Sequence, residues 1–300
     1  MGFASVQQWV DSVDAGRVHM TTFRKAVSSA ATVANAFVDY TYFSGNPPAN
    51  FYASSPLVAA TIERALGINV PLLDNQFIKS VTVMNGASSA TVTTSQNQRL
   101  LLADYLLYYP FIESDAVGEE QVFTNDVTLP RYESGEGVQV MAVAQGASST
   151  VGQFTINYTN SDGVAGRVSQ NTFSLTTNGG GVLVNSTAGA QTGAQNFIQL
   201  RAGDKGVRSI ESCTFTAAGG GILALVLVKP LWHFYSTQEC RRTTSGNLES
   251  YGAATQFESI IHRPTVEVKN GAVLGIIGLG NNGSLASSTL SGTLETVWSN

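Results

Sequence analysis

Charge is scarce in these 300 residues: Asp, Glu, Lys and Arg together make 12%, against about 25% in an ordinary soluble domain. Gly, Ser, Thr and Asn take their place, and the low charge and ample apolar content exclude a disordered chain. Positive charge is scarcer still. The chain has 16 Lys and Arg against 21 Asp and Glu, a net charge of −5. The longest basic stretch is Arg241-Arg242, so the basic stripe of a nucleic-acid binder is missing and no nucleic-acid partner is expected. Cysteine is limited to Cys213 and Cys240; without C-x-x-C spacing they read as buried thiols. The three histidines, His19, His233 and His262, have no ligand-type neighbour at helical or strand spacing, so no metal site is expected. Long apolar runs are also missing. Ile222 to Val228 falls far short of the ~20 residues of a membrane helix. MGFASVQQWVDS has neither the basic start nor the apolar stretch of a secretory signal, and Val6 breaks the myristoylation pattern. No membrane partner is expected.

What is present divides the chain at about residue 72. In 1–72 the pattern reads as helical. Phe3, Val6, Val10 and Val13 recur at helical spacing before Gly16. A second helix is predicted from Thr22 to about Val38, with Phe23, Val27, Ala30, Ala34 and Phe37 on one face. A third runs from Ser55-Pro56 to Gly67, with proline at its first position. Between the last two lies DYTYFSGNPPANFYASS, an ordered loop carrying Tyr40, Tyr42, Phe43, Phe51 and Tyr52. These five are the candidate interface residues, because Tyr and Phe in a proline-punctuated loop make good interface anchors. The competing reading is a flap that seals the helical segment onto the rest.

Residues 73–300 read as strands. FIKSVTVM, FTINYT and VRSIESCTFT alternate, and ILALVLV reads as a strand buried on both faces. RLLLADYLLYYP fits a buried strand or one helical turn. Asn85-Gly86, Asn160 to Gly163, the glycines 219–221 and Asn270-Gly271 supply turn signals. Together these predict a mainly β fold: an antiparallel β-sandwich or jelly-roll-like domain over 73–300, with two packed sub-sheets as one arrangement, preceded by a short helical N-terminal segment.

Motifs for chemistry fail one by one. Gly278, Gly280 and Gly283 in VLGIIGLGNNGSLASS spell G-x-G-x-x-G, the dinucleotide fingerprint. That fold needs a helix after the third glycine and a second βαβ half. SLASSTLSGTLETVW alternates like a strand instead, so the glycines are read as a hairpin loop between late strands. Asn160 to Gly163 reads as a tight turn and not a calcium loop, and Asp204-Lys205 as a polar turn and not a phosphate loop. There is no G-x-S-x-G elbow. Glu113, Asp115, Glu119, Glu120, Glu133 and Glu136 cluster, but as a solvated face. No catalytic residue, cofactor or metal is expected, and no enzymatic activity.

Several phrases occur together: LLLADYLLYYPFIESD, VTLPRYESGEGVQVM, NYTNSDGVAGRV, AGDKGVRSIESCTF with ALVLVKPL, and KNGAVLGIIGLG with a closing ETVW. This combination resembles structural proteins of tailed-bacteriophage virions, of the kind encoded among head genes, over about residues 75 to 300. The resemblance implies assembly by shape, with no active site. A major capsid protein is disfavoured, because no long charged spine helix follows an extended loop. The expectation is a capsid decoration, cement or minor head protein. Its partners are the capsid shell and copies of itself, as a homo-oligomer in the virion after synthesis in the host cytoplasm. The alternative is a tail or fibre receptor- or glycan-binding module, with Trp232, Tyr235 and Trp298 as stacking platforms.

Overall fold

The computed structural model describes residues 3–27, 36–87, 98–174, 176–177, 179–185, 196–236, 239–242, 248–251, 253–257, 266–280 and 288–299. It opens with α1 (Val6–Asp14), where the Ser5 hydroxyl accepts from the Gln8 amide at 3.1 Å, and turns at Gly16 with φ +71. This is the expected first helix. The second is replaced by β1 (Val18–Ala26), in which Phe23 and Lys25 are buried while Thr22, Arg24 and Ala26 are exposed. A lysine at an inward position hides the two-residue period from a hydrophobicity pattern. β2 (Phe37–Asp39), a 3-10 turn at Tyr40–Tyr42, β3 (Ser44–Asn46) and β4 (Ala60–Thr61) follow. The third expected helix shrinks to a 3-10 turn at Arg64–Leu66. Its backbone bonds elsewhere: Ala59 N–H donates to the Thr124 carbonyl and Thr124 N–H to the Leu57 carbonyl, both at 2.9 Å.

Strands then dominate: β5 (Gln76–Ala87), β6 (Gln98–Glu113), β7 (Glu120–Val122), β8 (Gln139–Ala144), β9 (Gly152–Asn160), β10 (Arg167–Val168), β11 (Thr172–Ser174) and β12 (Val207–Ala217). The remainder are β13 (Ile222–Ser236), β14 (Glu239–Arg242), β15 (Leu248–Tyr251), β16 (Ala253–Phe257), β17 (Glu267–Val268), β18 (Leu274–Gly280) and β19 (Ser288–Trp298). The fold is mainly β with one short N-terminal helix, and its sheets are antiparallel. A long sheet has the order β2-β18-β6-β13-β8, with β4 beside β6. A second, β16-β5-β19-β1-β3, also carries β17; a third, β10-β9-β12-β7, also carries β11; β14 and β15 form a hairpin. Strands from 1–72 thus enter two sheets built mostly from later residues.

The organising elements are β6 and β13. The 16 residues of β6 span about 50 Å, roughly three times a common strand. Leu100 and Leu102 of β6 pack with Val81, Val83 and Leu294 of the second sheet. Further along, Leu107 and Tyr109 pack with Phe154, Ile156 and Phe215 of the third. The register slips by one residue at Leu106, between Val228↔Tyr105 and Leu227↔Leu107, and such a bulge keeps Leu107 on the same face as Leu102. The second and third sheets therefore lie end to end on one face of the long sheet. On the opposite face Leu101, Ala103, Tyr105, Val226 and Val228 pack with Phe37 of β2, with Leu183, whose segment bonds to both β2 and β8, and with Tyr52 and Ile62. Cover on both faces is why β13 reads as a continuous apolar run.

Within β6, Asp104 carries a bidentate bond from Arg131 (Nε 2.8 Å, Nη2 2.7 Å) and accepts from the Val273 amide at 2.9 Å. Three turn expectations change. Asn85-Gly86 lies inside β5, paired with Leu290 and Thr289. Asn270-Gly271 does turn, with Gly271 at φ +76, but it joins β17 of the second sheet to β18 of the long sheet. Likewise β18 and β19 sit in different sheets, so these two strands do not form the expected hairpin. Residues 281–287 lie outside the described residues, and the expected strand beyond them is β19.

Candidate functional site

The aromatic loop is fastened by two buried charges. Lys25 comes inward from β1 and is 4% exposed. Its ammonium donates to the main-chain carbonyls of Pro47 (2.7 Å), Pro48 (3.0 Å), Phe43 (3.1 Å) and Thr41 (3.4 Å). Burial pushes the amine down to about 8, opposed by the charge of Asp39. Gly45 of β3 lets the loop close onto β1, because a Cβ there would overlap the Arg24 carbonyl at φ +151.

Asp39, at the end of β2, is fully buried and has no cationic donor among the described residues. It accepts from the Thr41 amide (2.9 Å), the Thr41 hydroxyl (2.7 Å), the Tyr105 hydroxyl (2.8 Å) and the Tyr52 hydroxyl. Burial raises its carboxyl above the usual range, and the four bonds pull the other way. Thr41 stands between the two charges: its carbonyl faces Lys25 while its N–H and hydroxyl face Asp39. The same carbonyl accepts from the Asn50 amide at 2.9 Å, and Asn50 Oδ1 accepts from the Tyr52 amide at 3.0 Å.

The glycines of β18 belong to this assembly. A Cβ at Gly278 would lie 2.6 Å from the Tyr40 ring, and one at Gly275 would overlap Thr41 and Tyr105. Gly278 therefore serves ring packing on the loop and not a turn angle.

Of the five residues expected to form an interface, Tyr40, Phe43 and Tyr52 are buried, Tyr42 is half-buried and Phe51 is 54% exposed. The loop is thus mostly a seal with one projecting ring. Phe51 stands edge-on to Tyr42 at 5.2 Å. Gln145, just after β8, fixes this corner. Its side-chain amide donates to the Phe51 and Tyr52 carbonyls, both at 3.2 Å, and its Oε1 accepts from Phe111 N–H at 2.7 Å. Its main chain accepts from the Tyr42 hydroxyl at 3.0 Å and donates to the Ile222 carbonyl at 2.9 Å. Around Gln145, three apolar side chains reach solvent: Phe51, Phe111 (36%) and Ile222 (46%). On the other side of Phe51 lies a depression of about 270 Å³ bordered by Ala53, Ile62, Leu66 and Tyr108.

No family model matches this chain, and no curated protein matches it. Among solved structures it is similar to a mutant VP2 protein of infectious bursal disease virus in derived T=1 particles, at 7% identity, covering 94% of this chain and 78% of that one. The TM-score is 0.19, too low to carry any argument.

Other sequence candidates fall elsewhere. Trp232 is buried, Trp298 half-buried and Tyr235 exposed; Trp232 and Tyr235 point to opposite faces of β13, so they form no common platform. Glu113, Asp115, Glu119, Glu120, Glu133 and Glu136 are exposed, with Glu120 accepting from the Ser212 hydroxyl at 2.6 Å. The Asn160 to Gly163 turn joins β9 to β10 as expected. Asp204 accepts from Arg167 (Nε and Nη2, both 2.9 Å), Asn160 (2.8 Å) and the Tyr158 hydroxyl (2.5 Å), and the guanidinium holds its carboxyl down at about 2. Cys213 is a buried free thiol; the side chain of Cys240 lies outside the described residues, as does His262. Among the described residues no helix is long and apolar enough to cross a membrane. Sequence reasoning missed Lys25, Asp39, Thr41 and Gln145. Their partners are main-chain atoms or distant hydroxyls, which leave no local motif.

Proposed function

We propose that this chain is a structural protein of a tailed-bacteriophage virion, a capsid decoration, cement or minor head protein that acts by protein–protein assembly and not by catalysis. One observation carries the reading: three exposed apolar side chains, Phe51, Phe111 and Ile222, stand on main chain that Gln145 ties together by hydrogen bonds, and the loop bearing Phe51 is fastened at its base by Lys25, Thr41 and Asp39. Solvent-exposed rings normally keep rotamer freedom, and ordering them at a contact costs roughly 0.5–1.5 kcal/mol per side chain. Main chain fixed beforehand, with Phe51 edge-on to Tyr42, lowers that cost and suits repeated docking on a symmetric shell, where many weak contacts add. The sparse charge and the phrase-level resemblance to phage virion proteins support the same reading. The shell and copies of the chain are its partners, and the virion is its location.

Cosedimentation of the purified protein with stripped heads tests this. Pelleting with heads, and not with isolated tails, is the expected result. Binding to tails alone moves the protein to the receptor-binding alternative, for which Tyr235 is an exposed ring.

A further inference from the structure

The carbonyls around Lys25 are more than a lysine needs. An ammonium has three N–H donors, yet four main-chain oxygens converge on Nζ at 2.7 to 3.4 Å. The three shorter contacts, at 2.7 to 3.1 Å, take one N–H each, and the Thr41 carbonyl at 3.4 Å, which also accepts from the Asn50 amide, completes a shell of neutral oxygens. Among the described residues no carboxylate belongs to the shell; Asp39 acts on Lys25 through space, with Thr41 between them. The distances are too long for calcium at about 2.3–2.6 Å or magnesium at about 2.0–2.1 Å, and both favour carboxylates or water. Neutral carbonyl dipoles at this radius suit a singly charged, weakly hydrated cation. The void beside the side chain, bordered by Phe23, Tyr40, Ile68 and Leu274, is about 10 Å³, the lower limit for one water, so any occupant sits there stripped of its hydration shell.

We propose that the carbonyls of Thr41, Phe43, Pro47 and Pro48 form a site for a monovalent cation of ammonium or potassium size. The Lys25 ammonium occupies it as a tethered ligand, and the loop that carries Phe51 keeps its shape only while the site is filled. The importance of that loop rests on the assembly reading above; the site itself does not. Asp39 supplies the balancing charge across Thr41, while Tyr42, Tyr52 and Tyr105 face the same cluster with hydroxyls that burial keeps protonated.

The test is chemical rescue of Lys25→Ala in the full chain. The truncation deletes the atoms of propylammonium. Hydrogen exchange at the amides of Phe43 and Asn50, which donate to the carbonyls of Tyr40 and Thr41, reports the loop directly. In choline chloride the variant's loop amides are expected to exchange at least about tenfold faster than those of the wild type. Propylammonium, ammonium or potassium at equal ionic strength restores protection and raises Tm by mass action. Tetramethylammonium does not, and the wild type is indifferent to all of them. Unchanged protection in choline overturns the proposal, as does failure of every small cation to restore it. If Lys25→Ala does not fold, Lys25→Met fills the space without the charge. It is expected to fold with fast-exchanging loop amides and no cation response, and protected loop amides in it overturn the proposal equally. Neither readout involves heads, so a failure of shell binding stays distinguishable from a failure of the cation site.

Discussion

Asp39 and Asp204 each accept four hydrogen bonds, one beneath the aromatic loop and the other at the turn end of the β9–β10 hairpin. Their carboxyls move in opposite directions. At Asp204 two of the four donors belong to the Arg167 guanidinium, which favours the ionised form and holds it at about 2. At Asp39 every donor is neutral, and full burial raises the carboxyl instead. The number of bonds does not decide the charge state; the charge of the donors and access to water do. The two regions differ in purpose accordingly. The hairpin end is an ion pair near solvent, whereas the loop base keeps its cation one residue away and uses Thr41 as the connection. A loop fastened in this way is disturbed by a change at any of three residues.

Asp39→Ala has the largest expected effect. It strands three hydroxyls and an amide and leaves Lys25 without its counter-charge, a loss of about 3–5 kcal/mol in urea unfolding. Asp39→Asn keeps an acceptor and is expected to cost less, and it also tests the sign of the titration. Because burial raises the Asp39 carboxyl, its contribution is complete below about pH 4, the unfolded value, and is lost as pH climbs through the folded value. The difference in stability between wild type and Asp39→Asn should therefore shrink as pH rises from acid toward neutral.

Lys25→Met follows, at about 2–4 kcal/mol, since several buried carbonyls lose their donor. Here the linkage runs the other way from a lysine held by a salt bridge. With the folded amine at about 8 against 10.5 when free, the unfolded chain binds the extra proton between those values. Wild-type stability relative to Lys25→Met is expected to rise from pH 8 to 10.5. Gly278→Ala comes next, at about 1–3 kcal/mol for overpacking, because its new methyl group meets the buried Tyr40 ring. Thermal unfolding measures it, and Tyr40→Leu in the same chain should recover part of the loss.

Asp204→Asn is expected to change the pH dependence of stability on the acid limb alone. The depressed carboxyl stabilises the wild type above the free value of 3.8, and this is lost as pH falls through about 2. The variant should be less stable than wild type at neutral pH and show a flatter decline between pH 4 and 2, followed by circular dichroism.

How much of this was written in the sequence depends on where the partners lie. β9 could be read directly, because Phe154, Ile156 and Tyr158 alternate with Thr155 and Asn157 over a single buried face. ILALVLV could be read for the opposite reason, both of its faces being covered. β1 could not: Phe23 and Val27 fit a helical spacing, and the inward residue between them is Lys25, which no hydrophobicity pattern assigns to a core. The aromatic loop was legible as ordered, but not which ring would project. That choice is made by Gln145, more than 90 residues away from Phe51. The glycines of β18 were visible as a pattern, and their reason, contact with Tyr40, Thr41 and Tyr105, is tertiary.

The smallest effect on stability is expected from Phe51→Ser, within about 0.5 kcal/mol for an exposed side chain, and it gives the most direct test. Binding to stripped heads should be titrated by cosedimentation for the wild type, Phe51→Ser and Met84→Ser, the last altering a side chain 51% exposed on the second sheet. The expected result is a loss of at least about tenfold in affinity for Phe51→Ser and none for Met84→Ser. Equal binding by all three, or loss confined to Met84→Ser, would contradict the assignment of the docking face to the locked aromatic loop.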